Sequence, residues 1–190
     1  MRCQRSDFSE EQTQAIEEAM HVINSKITPS AETGELIIDR YDQVLNRWKC
    51  NYRGVFDDGP GKSCAAAKVD TAIAHSEVYW GGQISKNKLN EGEVKWDGWM
   101  RFKNSLGDWI IAFSDREEWQ DCFYVAGVVL ALEIALKEKF ELPEGLLDDP
   151  KWGTAFNSAQ AWLEKAEICV SSRFLRKRQR KPTIILGQDM

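Results

Sequence analysis

The sequence has few of the residues that build metal sites and disulfide frameworks. It contains two histidines and an odd number of widely spaced cysteines, without a CxxC pair: Cys3, Cys50, Cys64, Cys122 and Cys169. Zinc sites need clustered cysteine or histidine ligands, and disulfide frameworks use cysteines in even numbers. We therefore expect reduced thiols, no metal site and no cofactor.

Long apolar stretches are also missing. Residues 1–7 lead into polar sequence without the apolar region of a secretory signal. The longest apolar run, residues 123–132, has about half of the residues that a membrane-spanning helix needs. These absences predict a cytoplasmic protein without a membrane partner, which could be nuclear if the host is eukaryotic. They give no indication of the oligomeric state.

The composition predicts one globular domain. The chain has 190 residues, of which 43% are hydrophobic and 29% are charged, values typical of a folded domain of ordinary size. No internal repeat or low-complexity tract divides it. We expect a single α+β domain over residues 1–181, followed by a C-terminal tail or edge strand over residues 182–190.

Hydrophobic spacing predicts helices in the first part of the chain. Ser9 and Gln12 form a capping box, and apolar residues then recur at intervals of three and four as far as Ile27. Residues 35–50 also follow a helical period, although residues 36–38 could equally begin a strand. An alanine-rich helix is predicted over residues 63–74.

The second part of the chain predicts a small sheet around a buried helix. Residues 77–84, 93–102 and 108–113 are short, aromatic and separated by turns, which is typical of a three-stranded antiparallel sheet. Ser114 and Glu117 suggest a second capping box, opening a central buried helix over residues 115–139. A last helix is predicted to bury Phe156, Trp162 and Leu163 and to continue toward residue 174.

A basic segment, residues 173–181, is the strongest functional signal. Six of its nine residues are cations, although the net charge of the chain is −5, so the remainder carries −11. If the last helix continues through the segment, Arg173, Arg176, Lys177 and Arg180 fall at i, i+3, i+4 and i+7. Such a stripe fits phosphates or an acidic protein groove. The leading prediction is a non-enzymatic binding or accessory protein whose acidic partner, such as nucleic acid, contacts Arg173, Arg176, Lys177, Arg178, Arg180 and Lys181.

Three other functions remain open. Cys64 or Cys122 with His75 would suit a small thiol hydrolase, because a cysteine nucleophile needs a nearby base. Asp70, Glu93 and Lys95 have the residue types of a metal-dependent nuclease, in which carboxylates hold magnesium and lysine orients water. The eight tryptophans could instead form the surface of an inhibitory or structural protein, although core packing explains large aromatic residues equally well.

Overall fold

The computed structural model describes residues 2–27, 34–56, 64–84, 88–91, 93–94, 96–114 and 117–166. These residues form five strands and four α-helices in an α+β arrangement. In chain order they are β1 Arg2–Ser6, α1 Glu10–Ile27, β2 Gly34–Asp42, β3 Arg47–Phe56, α2 Ala65–Ala74, β4 Trp99–Asn104, β5 Gly107–Ser114, α3 Glu118–Leu136 and α4 Pro150–Lys165.

A single antiparallel sheet has the strand order β1-β3-β2-β5-β4. The expected α+β class is confirmed, but the prediction of a three-stranded sheet is wrong. β4 and β5 correspond to two of the predicted strands. The third, residues 77–84, contributes only an isolated bridge from Trp80 to Met100 and a short 3-10 turn, Gly81–Gln83.

The helical interpretation of residues 35–50 is also wrong, because this stretch lies in the hairpin of β2 and β3. Asn46 occupies a left-handed conformation in the turn, which asparagine tolerates better than most residues. Asp42 accepts hydrogen bonds from the backbone N–H groups of Val44 and Leu45. This side-chain turn closes the hairpin without a glycine and so leaves a weak signal in the sequence.

Helices cover both faces of the sheet. One apolar cluster joins α2 to Ile37, Trp99, Ile110 and Ala112 on one face. The larger cluster lies on the opposite face, where α3 packs between α1 and α4. Alternate residues of the central strands therefore face two different cores, which explains why β2 and β5 are apolar at successive positions.

The central helix is present, but it is shorter than predicted. α3 is Glu118–Leu136, not 115–139, and its residues from Asp121 to Leu132 are all buried. Gly127 lets α1 approach closely, because a Cβ atom there would lie 2.7 Å from Ile23 Cγ1. α3 is long and apolar enough to cross a membrane, but 67% of that window is buried inside the protein, as expected of a core helix.

The predicted capping boxes have different outcomes. At α1, the Ser9 hydroxyl accepts from the Gln12 N–H and the Gln12 amide oxygen accepts from the Ser9 N–H, as predicted. At α3, Ser114 instead ends β5, and Glu117 precedes the helix without a side-chain cap. The sheet register holds Ser114 opposite Glu35, so its hydroxyl is not at a helix start.

The predicted domain boundary at residue 181 lies outside the described residues.

Candidate functional site

The six predicted binding residues of the basic segment lie outside the described residues. The last residue described is Ala166, which caps α4 and precedes Arg173 by seven positions. α4 itself is firmly placed: Asp149 caps its N-terminus, and Ala155, Phe156, Ala159 and Leu163 of the predicted apolar face are buried. Contact of the basic segment with an acidic partner therefore remains a prediction.

The structure does not bring Cys64 and His75 together. They occupy the N-cap and C-cap positions of α2, and a rise of about 1.5 Å per residue places them about 16 Å apart along the helix axis. A thiol and its general base must approach within hydrogen-bonding distance. The described geometry thus gives the hydrolase alternative based on Cys64 no support.

His75 instead lies between two carboxylates. Its Nε2 is 2.7 Å from Glu93 Oε2, and its Nδ1 is 3.6 Å from Glu77 Oε1. The hydrogen bond with Glu93 raises the pKa of His75, whose side chain is only 10% exposed. Glu93 also accepts from the backbone and the side-chain amide of Asn90, and these bonds lower its pKa to about 2. Because both ring nitrogens of His75 face carboxylates, the imidazole links the end of α2 to Glu93 and Glu77 and is not free to act as a general base.

Cys122 is a buried thiol near the start of α3. Burial raises the pKa of the Cys122 thiol well above its usual range, and the sulfur donates a hydrogen bond to the Glu118 carbonyl oxygen. Because the thiolate is the nucleophilic form, this environment disfavours reactivity. His75 is paired with Glu77 and Glu93, and the partner recorded for the Cys122 sulfur is the Glu118 carbonyl oxygen. The structure therefore does not pair His75 with Cys122.

Of the three predicted nuclease residues, the structure describes Asp70 and Glu93. Asp70 is exposed on α2, Glu93 is bound to His75 and Asn90, and Lys95 lies outside the described residues. In the part of the chain that the structure describes, no three histidine, cysteine or acidic side chains group so as to hold a metal ion.

Two of the tryptophans are exposed, as the surface hypothesis requires. Trp96 and Trp119 have 46% and 45% of their surface exposed, whereas Trp99, Trp109 and Trp152 are fully buried. Trp119 also meets Phe123 edge to face. The remaining tryptophans are buried or half-buried, so most of the aromatic content belongs to the core.

An ion-pair chain lies next to both exposed tryptophans in sequence. Lys151 Nζ, on α4, is 2.6 Å from Asp97 Oδ2 and 3.4 Å from Glu118 Oε2. These carboxylates raise the pKa of Lys151 to about 12, with the hydrogen bond to Asp97 as the largest cause. The lysine thereby joins the segment before β4 with the first turns of α3 and α4.

The polar pairs that organise the structure were not predictable from local motifs. Buried Lys68 on α2 pairs with buried Asp121 on α3, and Lys68 Nζ also donates to the Phe113 carbonyl oxygen. The two partners are 53 positions apart, and Lys151 and Asp97 are 54 apart. Only the fold brings these side chains together, so no spacing rule marks them.

Comparison with known proteins identifies no family for this chain. No family model, curated protein or solved structure matches it.

Proposed function

We propose that the protein is a non-enzymatic binding protein that engages an acidic partner through the basic segment. The observation that carries the proposal is the charge distribution: six of the nine residues 173–181 are cations, whereas the other residues of the chain together carry −11. Phosphate binding depends on the local density of cations, not on the average charge of the protein. A segment of this kind can attract a polyanion that the remaining surface repels.

The chemistry of the cations favours an oxyanion partner. Four of the six are arginines, Arg173, Arg176, Arg178 and Arg180. A guanidinium group presents paired donors that match two oxygens of a phosphate or a carboxylate, whereas lysine acts as a point charge. Nucleic acid is the first partner to test, because it offers phosphates at regular spacing. An acidic protein is the second.

The described surface supports a narrow contact rather than a broad basic face. Exposed carboxylates occur on or beside every helix: Glu10, Glu11, Glu18, Asp70, Glu77, Glu117, Glu118, Glu144, Asp148 and Glu164. Their repulsion opposes the wrapping of a polyanion around the body. We therefore expect weak binding that is detectable mainly at low ionic strength, where charges are less screened.

Replacing Arg176, Lys177 and Arg180 with alanine tests the proposal. Each lost phosphate contact lowers the slope of log K against log salt by about 0.7–0.9, so the triple variant should lose about two to three units of slope. The measurement is fluorescence anisotropy of a labelled single-stranded oligonucleotide across a salt series, with polyglutamate as the acidic-protein probe.

A control variant removes the same charge elsewhere. Lys26, Arg47 and Lys88 are exposed cations of the body, and their replacement by alanine should change binding much less. If both variants lost the same binding affinity, the loss would come from the change in net charge and not from the position of the basic segment. If the wild-type protein binds neither the oligonucleotide nor polyglutamate at low salt, the proposal is wrong.

The exposed tryptophans favour a second candidate, a protein-binding surface around Trp96 and Trp119. Exposed aromatic residues are frequent anchors of protein interfaces. If this surface mediates self-association, sizing chromatography should show a concentration-dependent larger species, and replacing both tryptophans with alanine should abolish it. If the protein elutes as a monomer at every concentration, this surface does not mediate self-association.

A further inference from the structure

The register of the sheet edge places two arginines directly opposite each other. β1 pairs with β3 so that Arg5 faces Arg53, and their side chains are 52% and 48% exposed. Opposed residues of neighbouring strands have Cβ atoms about 5 Å apart, and like charges in that position destabilise the pair. Natural proteins retain such unfavourable pairs at functional sites more often than elsewhere.

A β-bulge creates this opposition. Cys3 pairs with Gly54 and Arg5 pairs with Arg53, so Gln4 is an extra residue in β1. Without the bulge, Arg5 would oppose Tyr52 and would share the face on which Cys3 packs against the large core. The bulge turns Arg5 to the other face, beside Arg53. Bulges often re-aim side chains in this way at edges and near functional sites.

The carboxylates nearby only partly neutralise the two arginines. Arg53 is paired with Glu35, whose side chain is 4% exposed. Arg5 is 3.7 Å from Asp7, but Asp7 is closer to Lys49, at 2.8 Å. Three exposed cations therefore share two carboxylates. Asp39 is a further carboxylate near Arg5, and burial, as the largest cause, raises its pKa.

We propose that Arg5 and Arg53 together bind one phosphate group of a nucleic acid. A phosphate between the two guanidinium groups would accept hydrogen bonds from both and would replace their mutual repulsion with attraction. Since both arginine side chains are about half-exposed at the sheet edge, their guanidinium groups are accessible to a phosphate of a polymer backbone. The inference rests on the proposed function and adds a contact point on the folded body.

The test uses Arg5→Gln with Arg47→Gln as its matched control. Arg47 is an exposed cation at the other end of β3, opposite Asp42. A labelled oligothymidylate should bind Arg5→Gln several-fold more weakly than wild type at low salt, with a slope reduced by about 0.7, the value for one contact to a single strand. Arg47→Gln should bind as the wild type does. Equal losses in the two variants would overturn the proposal.

A second measurement separates a binding role from a structural one. Because Arg5 faces Arg53, Arg5→Gln should melt at the same temperature as wild type, or higher, in phosphate-free buffer. Added inorganic phosphate should shift the Arg5 and Arg53 Nε–Hε signals in the NMR spectrum of wild type. A lower melting temperature of the variant without these shifts would make Arg5 a structural partner of Asp7 and would overturn the proposal.

The two proposals can fail separately. If inorganic phosphate shifts both arginine signals but neither oligothymidylate nor polyglutamate binds, the acidic-partner function fails and the Arg5–Arg53 site stands as a site for a small phosphate. If replacement of the basic segment abolishes oligonucleotide binding while Arg5→Gln changes nothing, the function stands and the Arg5–Arg53 site fails.

Discussion

Asp121→Asn should be among the most destabilising conservative changes in this protein. Asp121 and Lys68 are 4% and 1% exposed, and the lysine links α2 to α3 from opposite sides of the sheet. The substitution preserves the shape of the side chain but removes its charge. The Lys68 ammonium would then lose its counter-ion but keep its hydrogen bond to the Phe113 carbonyl oxygen, 2.8 Å away.

The expected loss follows from the cost of a buried charge without its counter-ion. Breaking a buried ion pair from one side costs about 3–5 kcal/mol, a large part of the roughly 5–15 kcal/mol by which domains are stable. For a chain of this size each kcal/mol corresponds to about 2–4 °C. The melting temperature should therefore fall by about 6–20 °C, and urea unfolding should give the same ranking.

Two further variants test whether the loss comes from the buried charge of Lys68. Asp108→Asn removes a carboxylate from an exposed pair with Lys103, 3.3 Å away, and should cost no more than about 1 kcal/mol. Lys68→Met combined with Asp121→Leu removes both buried charges and should recover most of the loss. If Asp121→Asn lies within about 1 kcal/mol of wild type, the pair does not carry the stability assigned to it.

Three other predictions address the core and the titrating groups. Val129→Asp should abolish cooperative unfolding, because Val129 is fully buried and an unpaired buried carboxylate costs several kcal/mol; a soluble variant with a normal unfolding transition would contradict this. His75→Gln should lose more stability at pH 6 than at pH 9: the folded-state pKa of His75 is raised above 6.5, so its contribution is complete below 6.5 and disappears as pH rises through the folded value. A loss that is equal at both pH values would refute this role. Cys122 should react with iodoacetamide only on unfolding, because burial raises its pKa; rapid labelling of the native protein would revive the hydrolase alternative.

The sequence predicted elements whose signals are local. The capping box and apolar spacing of α1 identify its start, and the continuous apolar surface of α3 identifies it as the core helix. The β2–β3 hairpin was missed because Ile37, Tyr41, Val44 and Trp48 happen to follow a helical period. In the structure, Val44 is 93% exposed at the hairpin turn, so this spacing has nothing to do with burial.

The candidate sites depended on distant pairings, which the sequence does not encode locally. Cys64 and His75 are close in sequence, but a straight helix separates them. Arg5 and Arg53 are far apart in sequence, and their opposition depends on the bulge at Gln4. If side chains simply alternated along β1 without that bulge, Arg5 would lie on the same face as Cys3, which packs against the larger core.

The middle of the sheet has a consequence for how the chain folds. β2 pairs with β5 through contacts such as Glu35 with Ser114, which are 79 positions apart. Proteins dominated by such distant contacts fold slowly, on the millisecond-to-second scale, because a long loop must close first. While a ribosome is still making α2 and β4, the edge of β2 that later receives β5 has no strand beside it. During this interval the unpaired edge of β2 is a template on which another chain can pair.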